Sequence, residues 1–418
     1  MNQKTAFEIL KKGHNVFLTG PAGSGKTYLL NKFIEYLKKN GIPVAKTAST
    51  GIAATHMNGM TIHSWSGMGI NRNMDEKQIK RLKGFRKMQR RFEKTEVLII
   101  DEISMLHDYQ LDLLNKICKS FKDPFLPFGG LQVILSGDFF QLPPVSKGDD
   151  PSRFVIYSGA WKEADPRVCY LDKLYRQRDE NILRVLNDIR ERNISRKTVE
   201  LLNSRANSEI KGVENPTRLF THNANVDELN HRELAKLEEE PLAYSMEEEG
   251  PENLVKGLKK SCLAPEKLRL KKGAKVMFVK NNFDKGYVNG TTGTVAGTNR
   301  EGFPKVKTFE GREIQVMPES WIIEDETANV LASVRQVPLR LAWAITVHKS
   351  QGMTLDAVEM DLSKSFEYGM GYVALSRCGK LEGMKLLGIN RMALEVDPKV
   401  FEIDKLLKEL SERREKHF

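Results

Sequence analysis

The octapeptide GPAGSGKT at Gly20–Thr27 constrains this chain more than any other stretch. An apolar run, Val16-Phe17-Leu18-Thr19, leads into it, and Tyr28-Leu29-Leu30-Asn31-Lys32-Phe33-Ile34 leads out. Strand, glycine-rich turn and helix in that order form the setting in which such a loop binds phosphate. Glycines let consecutive backbone N–H groups converge on an anion, and the helix N-terminus adds partial positive charge. Gly20, Pro21, Ala22, Gly23, Ser24 and Gly25 would form the cradle. Lys26 would reach the β- and γ-phosphates, and the Thr27 hydroxyl would ligate Mg²⁺. The chain is therefore expected to bind a nucleoside triphosphate, and its other segments must say what the triphosphate is for.

With 418 residues the chain is long for one core, so two to four domains are expected. No apolar run approaches the length of a membrane span, and Met1-Asn2-Gln3-Lys4-Thr5 lacks the apolar core of a secretory signal. Cys118, Cys169, Cys262 and Cys378 lie far apart without a CxxC pair, which fits reduced thiols and excludes a disulfide or zinc framework. The formal net charge of +11 favours a polyanionic partner, nucleic acid before membrane. Its distribution is uneven. Between Arg72 and Lys94 ten Lys/Arg residues face three acids, whereas Glu238–Glu252 carries seven glutamates and no basic residue. The first stretch suits a phosphate track or a solvated helix; the second suits solvent alone.

Strands are expected at Val44–Ala48, Glu96–Ile100 and Leu131–Leu135, with helices at Thr27–Lys39 and Tyr109–Phe121. This alternation predicts a parallel sheet with ligands at the carboxyl ends of its strands. The basic segment interrupts it as a small insertion. A second α/β region begins near Tyr170, with a helix at Glu180–Arg192 and a strand at Arg218–Thr221. Between about 255 and 336, short strands (Lys275–Lys280, Gly293–Gly297, Lys305–Phe309, Glu313–Val316) with Asn-Gly and Glu-Gly turns predict a β-rich insertion. α/β structure resumes at Val337, and Asp397–Phe418 reads as a charged, peripheral helix.

Chemistry-bearing residues sit where such a sheet would place them. Ile99-Ile100-Asp101-Glu102 ends a strand with two carboxylates: Asp101 could hold Mg²⁺ through water, and Glu102 could polarise the attacking water. Gln141, in Ser136-Gly137-Asp138-Phe139-Phe140-Gln141, could bond both γ-phosphate and water, or cap a turn. Arg176 and Arg377 are candidates for neutralising the transferring phosphoryl group, although spacing alone does not separate them from the other arginines. Gln3 could pair with an adenine edge. Loops around Thr50, His63, Thr346, His348 and Ser350 suit DNA phosphates. Trp65, Phe85 and Phe92 could stack on bases or sit in the core. No ligand set surrounds His63 or His348, which argues against either as a metal ligand.

In order, these segments resemble the motifs of superfamily-one helicases, and more narrowly the petite-integration-frequency (Pif-type) family of 5′→3′ DNA helicases, related to RecD-like enzymes. The resemblance spans TASTGIAA (Thr47–Ala54), TIHSW (Thr61–Trp65), IIDEISML (Ile99–Leu106) and GDFFQLPPV (Gly137–Val145). It continues through LYRQ (Leu174–Gln177), NGTTGTV (Asn289–Val295), AWAITVHKSQGMTLD (Ala342–Asp356) and YVALSRC (Tyr372–Cys378). It implies two RecA-like parallel-sheet domains: residues 1–65 with 95–175, and 176–230 with 337–405. A small wedge would occupy 66–94, an insertion with an SH3-like β domain 231–336, and a tail 406–418. ATP and Mg²⁺ would lie in the cleft. Lys26, Thr27, Asp101, Glu102 and Gln141 would come from the first domain, and Arg176, Arg377 and the cleft-lining Gly352 from the second. Thr50, His63, Thr346, His348 and Ser350 would contact single-stranded DNA. The family implies single-stranded and forked DNA, RNA–DNA hybrids and G-quadruplexes as substrates for a monomeric enzyme without membrane attachment. The compact chain suggests a bacterial, cytoplasmic, nucleoid-associated protein with no targeting signal. Two other classes remain open on the residues alone: a DNA-stimulated ATPase that remodels protein–DNA complexes without strand separation, and a P-loop small-molecule kinase.

Overall fold

The computed structural model describes residues 1–69, 71–144, 154–175, 179–211, 213, 215–220, 226–282, 284–309, 311–347 and 349–415. A wholly parallel six-stranded sheet organises the first half. Its strands are β1 (Val16–Thr19), β2 (Val44–Ala48), β3 (Met60–Thr61), β4 (Val97–Asp101), β5 (Gln132–Ser136) and β6 (Arg167–Tyr170), in the spatial order β3-β2-β4-β5-β1-β6. Side chains alternate across a strand, so each strand feeds two cores. Val16, Leu18, Val97, Ile99 and Ile134 meet Leu30 and Phe33 of helix Lys26–Lys39 on one face. Phe17, Leu98, Ile100, Val133 and Leu135 join a core on the other face that continues into the second half. The strands β3 and β6 at the sheet's edges escaped the sequence reading. β3 has only two residues, and β6 lies where a second region was expected to begin.

The second sheet is also parallel, ordered Ala344–Thr346, Thr217–Phe220, Val358–Leu362, Met384–Ile389. Helix Glu180–Arg190 and helix Met370–Leu375 bring Ile182, Val185, Ile189, Tyr372 and Val373 into the shared core. The C-terminal helix corrects an expectation. It runs unbroken from Pro398 to Glu415, across the expected tail boundary, and it is not peripheral. Val400, Ile403 and Leu407 are buried, and Ser411 Oγ accepts from the Tyr170 N–H of β6 at 3.0 Å. A narrow apolar stripe inside a charged sequence docks the helix on the first sheet.

Two helices, Glu76–Lys83 and Arg86–Lys94, form the basic insertion. Asp75 and Gln78 make a capping box at its start, and Lys80, Arg81 and Lys83 sit in the last turn, where cations suit the helix dipole. The later insertion holds a five-stranded antiparallel sheet (313–315, 304–308, 292–298, 275–278, 339–341). A separate hairpin, Glu319–Glu324 with Val330–Gln336, extends to Glu247–Glu249. That hairpin returns to the first sheet: Val44 N–H donates to Glu326 O at 3.1 Å, and Glu324 N–H to Asn58 O at 3.1 Å. The glutamates Glu247–Glu249 are exposed, as their composition implies.

Candidate functional site

The loop after β1 turns on glycines whose positive φ would strain any side-chain-bearing residue. Gly20 has φ +140°, and a Cβ there would lie 2.2 Å from Leu171 O; at Gly25, φ +83°, it would lie 2.3 Å from Gln3 Nε2. Lys26 folds back over the loop, donating to Gly20 O at 2.8 Å and Pro21 O at 3.1 Å. Burial pushes its pKa down, against the pull of Asp138, Glu102 and Asp101. Ser24 Oγ is buried with no partner among the described residues, so the cradle holds a polar atom awaiting one. Gln3 donates to Ser24 O at 3.3 Å and Gly25 O at 3.4 Å. It braces the loop from outside.

The loop opens on a cavity of about 630 Å³, lined by Ala22, Gly23, Gly25, Lys26 and Thr27 together with Asp101, Glu102 and Gln141. Gln351, Gly352 and Arg377 of the second half and Asn281 and Asn289 of the β-rich insertion complete it. Asp101 is buried at the end of β4, and its Oδ1 accepts the Glu102 N–H at 2.9 Å. Glu102 takes left-handed backbone angles (φ 53°, ψ 44°), uncommon for a side-chain-bearing residue and typical of strained functional positions. Burial, with Asp101 alongside, raises its pKa to about 7 despite Lys26 and Arg377. Gln351 Nε2 donates to Glu102 Oε2 at 3.2 Å and to Gln141 Oε1 at 3.3 Å. In the sequence Gln351 belongs to the loop expected to meet DNA. No motif signals that its one amide joins both carboxylate and glutamine across the cleft.

Arg377 is almost wholly buried and lines the cavity, with Nε on Val373 O at 2.9 Å and Nη1 on Ser350 O at 3.3 Å and Met353 O at 3.4 Å. Tyr28 and Tyr175 line the same cavity and are both exposed, and no sequence signal marks either. Arg176 and His348 lie outside the described residues.

The expected DNA contacts fare unevenly. Thr50 caps helix Gly51–Thr55 and lines the cavity, so it stands between the phosphate cradle and the expected track. His63 Nε2 lies 2.9 Å from Gln110 Nε2, and burial lowers its pKa, so it is held neutral by packing. Ser350 and Thr346 are turned inwards. Ser350 Oγ is buried and donates to Val347 O at 2.8 Å; the buried Thr346 Oγ1 accepts the Lys349 N–H at 3.2 Å. Both hydroxyls shape their loop rather than face outwards. Trp65 and Phe92 are likewise core, their rings 4.7 Å apart with Phe92 stacked 4.3 Å from Phe121. Phe85, at the turn between the two basic helices, is the exposed member of the trio.

The residues present fit a Mg²⁺-bound triphosphate: an unpartnered hydroxyl, glycine-enforced N–H groups, a lysine, and paired carboxylates at the end of the adjacent strand. The family model for PIF1-like helicases matches residues 1–206, and that for the 2B domain of DNA helicase Pif1 matches 253–297. The ATP-dependent DNA helicase Pif1 of Psychrobacter sp. (strain PRwf-1) is 45% identical over 98% of this chain and 71% of its own. This chain belongs to the PIF1-like helicase family. Among solved structures, Bacteroides sp. Pif1 with ADP-AlF4 matches at TM-score 0.83 and 31% identity over 97% of this chain and 96% of that one. Bacteroides Pif1 bound to ssDNA, at 30% identity and the same coverage, matches at only 0.65. A structure of two coordinating Pif1 helicases at forked dsDNA matches at 0.62, with 31% identity and the same coverage. These matches carry the two-domain α/β helicase fold across the whole of this chain.

Proposed function

We propose that this PIF1-like helicase translocates 5′→3′ along single-stranded DNA and separates the duplex ahead, using the cleft between its two parallel sheets. As a family member it is an ATP-hydrolysing DNA helicase; polarity, residue roles and preferred substrates are the proposal. One observation carries it: a single cavity gathers Lys26, Glu102 and Gln141 from the first half with Gln351 and Arg377 from the second. Hydrolysis at such a site is bound to the relative position of two domains.

In this reading the loop N–H groups and Lys26 hold the phosphates, with Thr27 and Asp101 holding Mg²⁺. The ion, when bound, offsets charge on the β- and γ-phosphate oxygens. Glu102 takes a proton from the attacking water, which Gln141 and Gln351 orient. Arg377 exchanges its carbonyl partners for the developing phosphoryl charge, with Arg176 as a second cation. Gln3 keeps an amide oxygen free to read an exocyclic amine on the base. The basic helices with Phe85 at their turn act as the wedge at the fork. RNA–DNA hybrids and G-quadruplexes are proposed as further substrates, and one copy as the working unit. A nucleoid-associated, cytoplasmic setting is proposed too, supported by the bacterial relative; no described helix is long and apolar enough to cross a membrane.

Paired duplexes with only a 5′ or only a 3′ single-stranded tail test the reading. The 5′-tailed substrate should open with ATP and the 3′-tailed one should not; the reverse preference overturns the polarity. ATP hydrolysis should rise with single-stranded DNA and vanish in Lys26→Ala, while DNA affinity is largely retained. Stimulated hydrolysis without opening of either substrate would point to a remodeller of protein–DNA complexes instead.

A further inference from the structure

Directly behind the phosphate cradle lies a second buried polar cluster, to which the roles above assign nothing. Its centre is the Arg190 guanidinium at the end of helix Glu180–Arg190. Arg190 Nη1 donates to Asp138 Oδ1 at 2.9 Å and Oδ2 at 3.0 Å, and to the Tyr372 hydroxyl at 3.1 Å. Nη2 donates to the Tyr170 hydroxyl at 2.9 Å and to Asp404 Oδ1 at 3.0 Å. The guanidinium also stacks over the Phe140 ring at 4.0 Å. Four separate elements of the chain are thereby fixed to one cation.

Tyr372 connects this cluster to the nucleotide site. Its hydroxyl accepts the Ala22 N–H of the phosphate loop at 3.1 Å, accepts from Arg190, and donates to Asp138 Oδ2 at 3.3 Å. One donor and two acceptor positions are all a phenol has, so the group is saturated. Asp138 lies on the same turn as Gln141, whose N–H donates to Asp138 O at 3.0 Å. Tyr372 shares helix Met370–Leu375 with Val373, the residue whose carbonyl holds Arg377 Nε.

We propose that Tyr372 is a positioning residue: its hydroxyl holds the Ala22 N–H, and so the phosphate loop, until a triphosphate takes that donor. Loop N–H groups converge on phosphate in such sites, and the Ala22 N–H cannot serve both acceptors well. Binding therefore trades the tyrosine for an anion. The helix carrying Tyr372 is released from the loop, and Arg377, just beyond its end and already lining the cleft, becomes free to turn from its carbonyl partners to the phosphates. Asp138 stays paired to Arg190, so the release is felt on the turn that carries Gln141. The inference rests on reading the cleft as a triphosphate site.

Tyr372→Phe removes the hydroxyl and little else. With a fluorescent, non-hydrolysable ATP analogue and no DNA, it should bind roughly three- to tenfold more tightly, the equivalent of one neutral hydrogen bond. At saturating single-stranded DNA, kcat and KM for ATP should fall together, as when ground-state strain is removed. Arg190→Lys keeps a charge beside Asp138 but cannot reach Tyr372, Tyr170 and Asp404 at once. It should melt earlier yet bind the analogue within about twofold of wild type. Unchanged affinity in folded Tyr372→Phe, or equal tightening in both variants, overturns the proposal. Failure of the wild type to bind the analogue overturns the cleft assignment itself. Should Tyr372→Phe not fold, hydrogen exchange of the wild type decides: on analogue binding the 366–378 segment should exchange faster while the 19–27 loop slows. Equal protection of both segments overturns the proposal.

Discussion

Glu102 holds its proton more tightly than a surface glutamate because it is buried beside Asp101, and its pKa rises to about 7. A general base must be deprotonated to work, so kcat/KM for ATP, which reports the free enzyme, should rise with pH and level off above about 7. Glu102→Gln should lower kcat by about 10²- to 10⁴-fold and abolish the inflection. Stability moves the other way. Between its ordinary value of 4.5 and about 7, the folded protein retains a proton that the unfolded chain has released. Stability contributed by this group is therefore lost as pH rises through that window. The melting temperature of Glu102→Gln relative to wild type should climb from pH 5 to pH 8, and a constant difference would contradict the shift. Residues of this kind were legible in sequence because chemistry fixes their spacing to a strand end or a glycine turn. Gln351 and Tyr372 were not, because their roles come from partners 249 and 350 residues away, at Glu102 and Ala22.

At the scale of elements, the hairpin Glu319–Glu324/Val330–Gln336 is held to the first sheet by charges that no periodicity could predict. Lys46 on β2 is buried and pairs with Glu324, which Lys38 also meets at 2.7 Å. Beyond the hairpin's first strand, Glu326 accepts from Trp65 Nε1 at 3.2 Å and pairs with Arg91 Nε at 3.4 Å. Burial lowers the pKa of Lys46 and Arg91, and their acidic partners oppose the shift. Breaking a buried pair strands an uncompensated charge, so Glu324→Gln should cost about 3 kcal/mol in urea unfolding. Glu252→Gln, which breaks an exposed pair with Lys256, should change little. Equal effects would mean the Lys46 pair is not structurally isolated from water. The sequence revealed the long apolar strands and the helices between them, whose periodicity is strong. It showed the C-terminal helix but concealed its docking, since the buried Val400, Ile403 and Leu407 are a thin stripe among charges.

For the whole molecule, the hairpin's attachment bears on where a DNA strand can lie. Helix Glu252–Ser261 of the insertion packs so closely on helix Gly51–Thr55 that a Cβ on Gly51 would sit 2.0 Å from Ser261 Oγ. The surface at Gly51, next to the Thr50 expected to meet phosphates, is therefore covered while the insertion stays docked. At matched identity and coverage this chain superposes better on unliganded Bacteroides Pif1 and its ADP-AlF4 complex (0.83 each) than on its ssDNA complex (0.65). The arrangement here accordingly belongs with the former, and strand binding should draw on the free energy that docks the insertion. A protein whose binding-competent arrangement is only fractionally populated binds more weakly by that fraction, and loosening the closed form restores affinity. Glu324→Gln should therefore bind single-stranded DNA several-fold more tightly than wild type, even as it unfolds more easily. Fluorescence anisotropy with a short 5′-labelled oligonucleotide measures this, with both proteins at one salt concentration because phosphate contacts make affinity steeply salt-dependent. Removing one acid raises the net charge by a single unit, so Glu252→Gln, an exposed change of the same size, serves as the electrostatic control. Tightening in Glu324→Gln alone ties strand affinity to the docked hairpin; equal tightening in both variants reduces the effect to charge and leaves the insertion out of the strand's way.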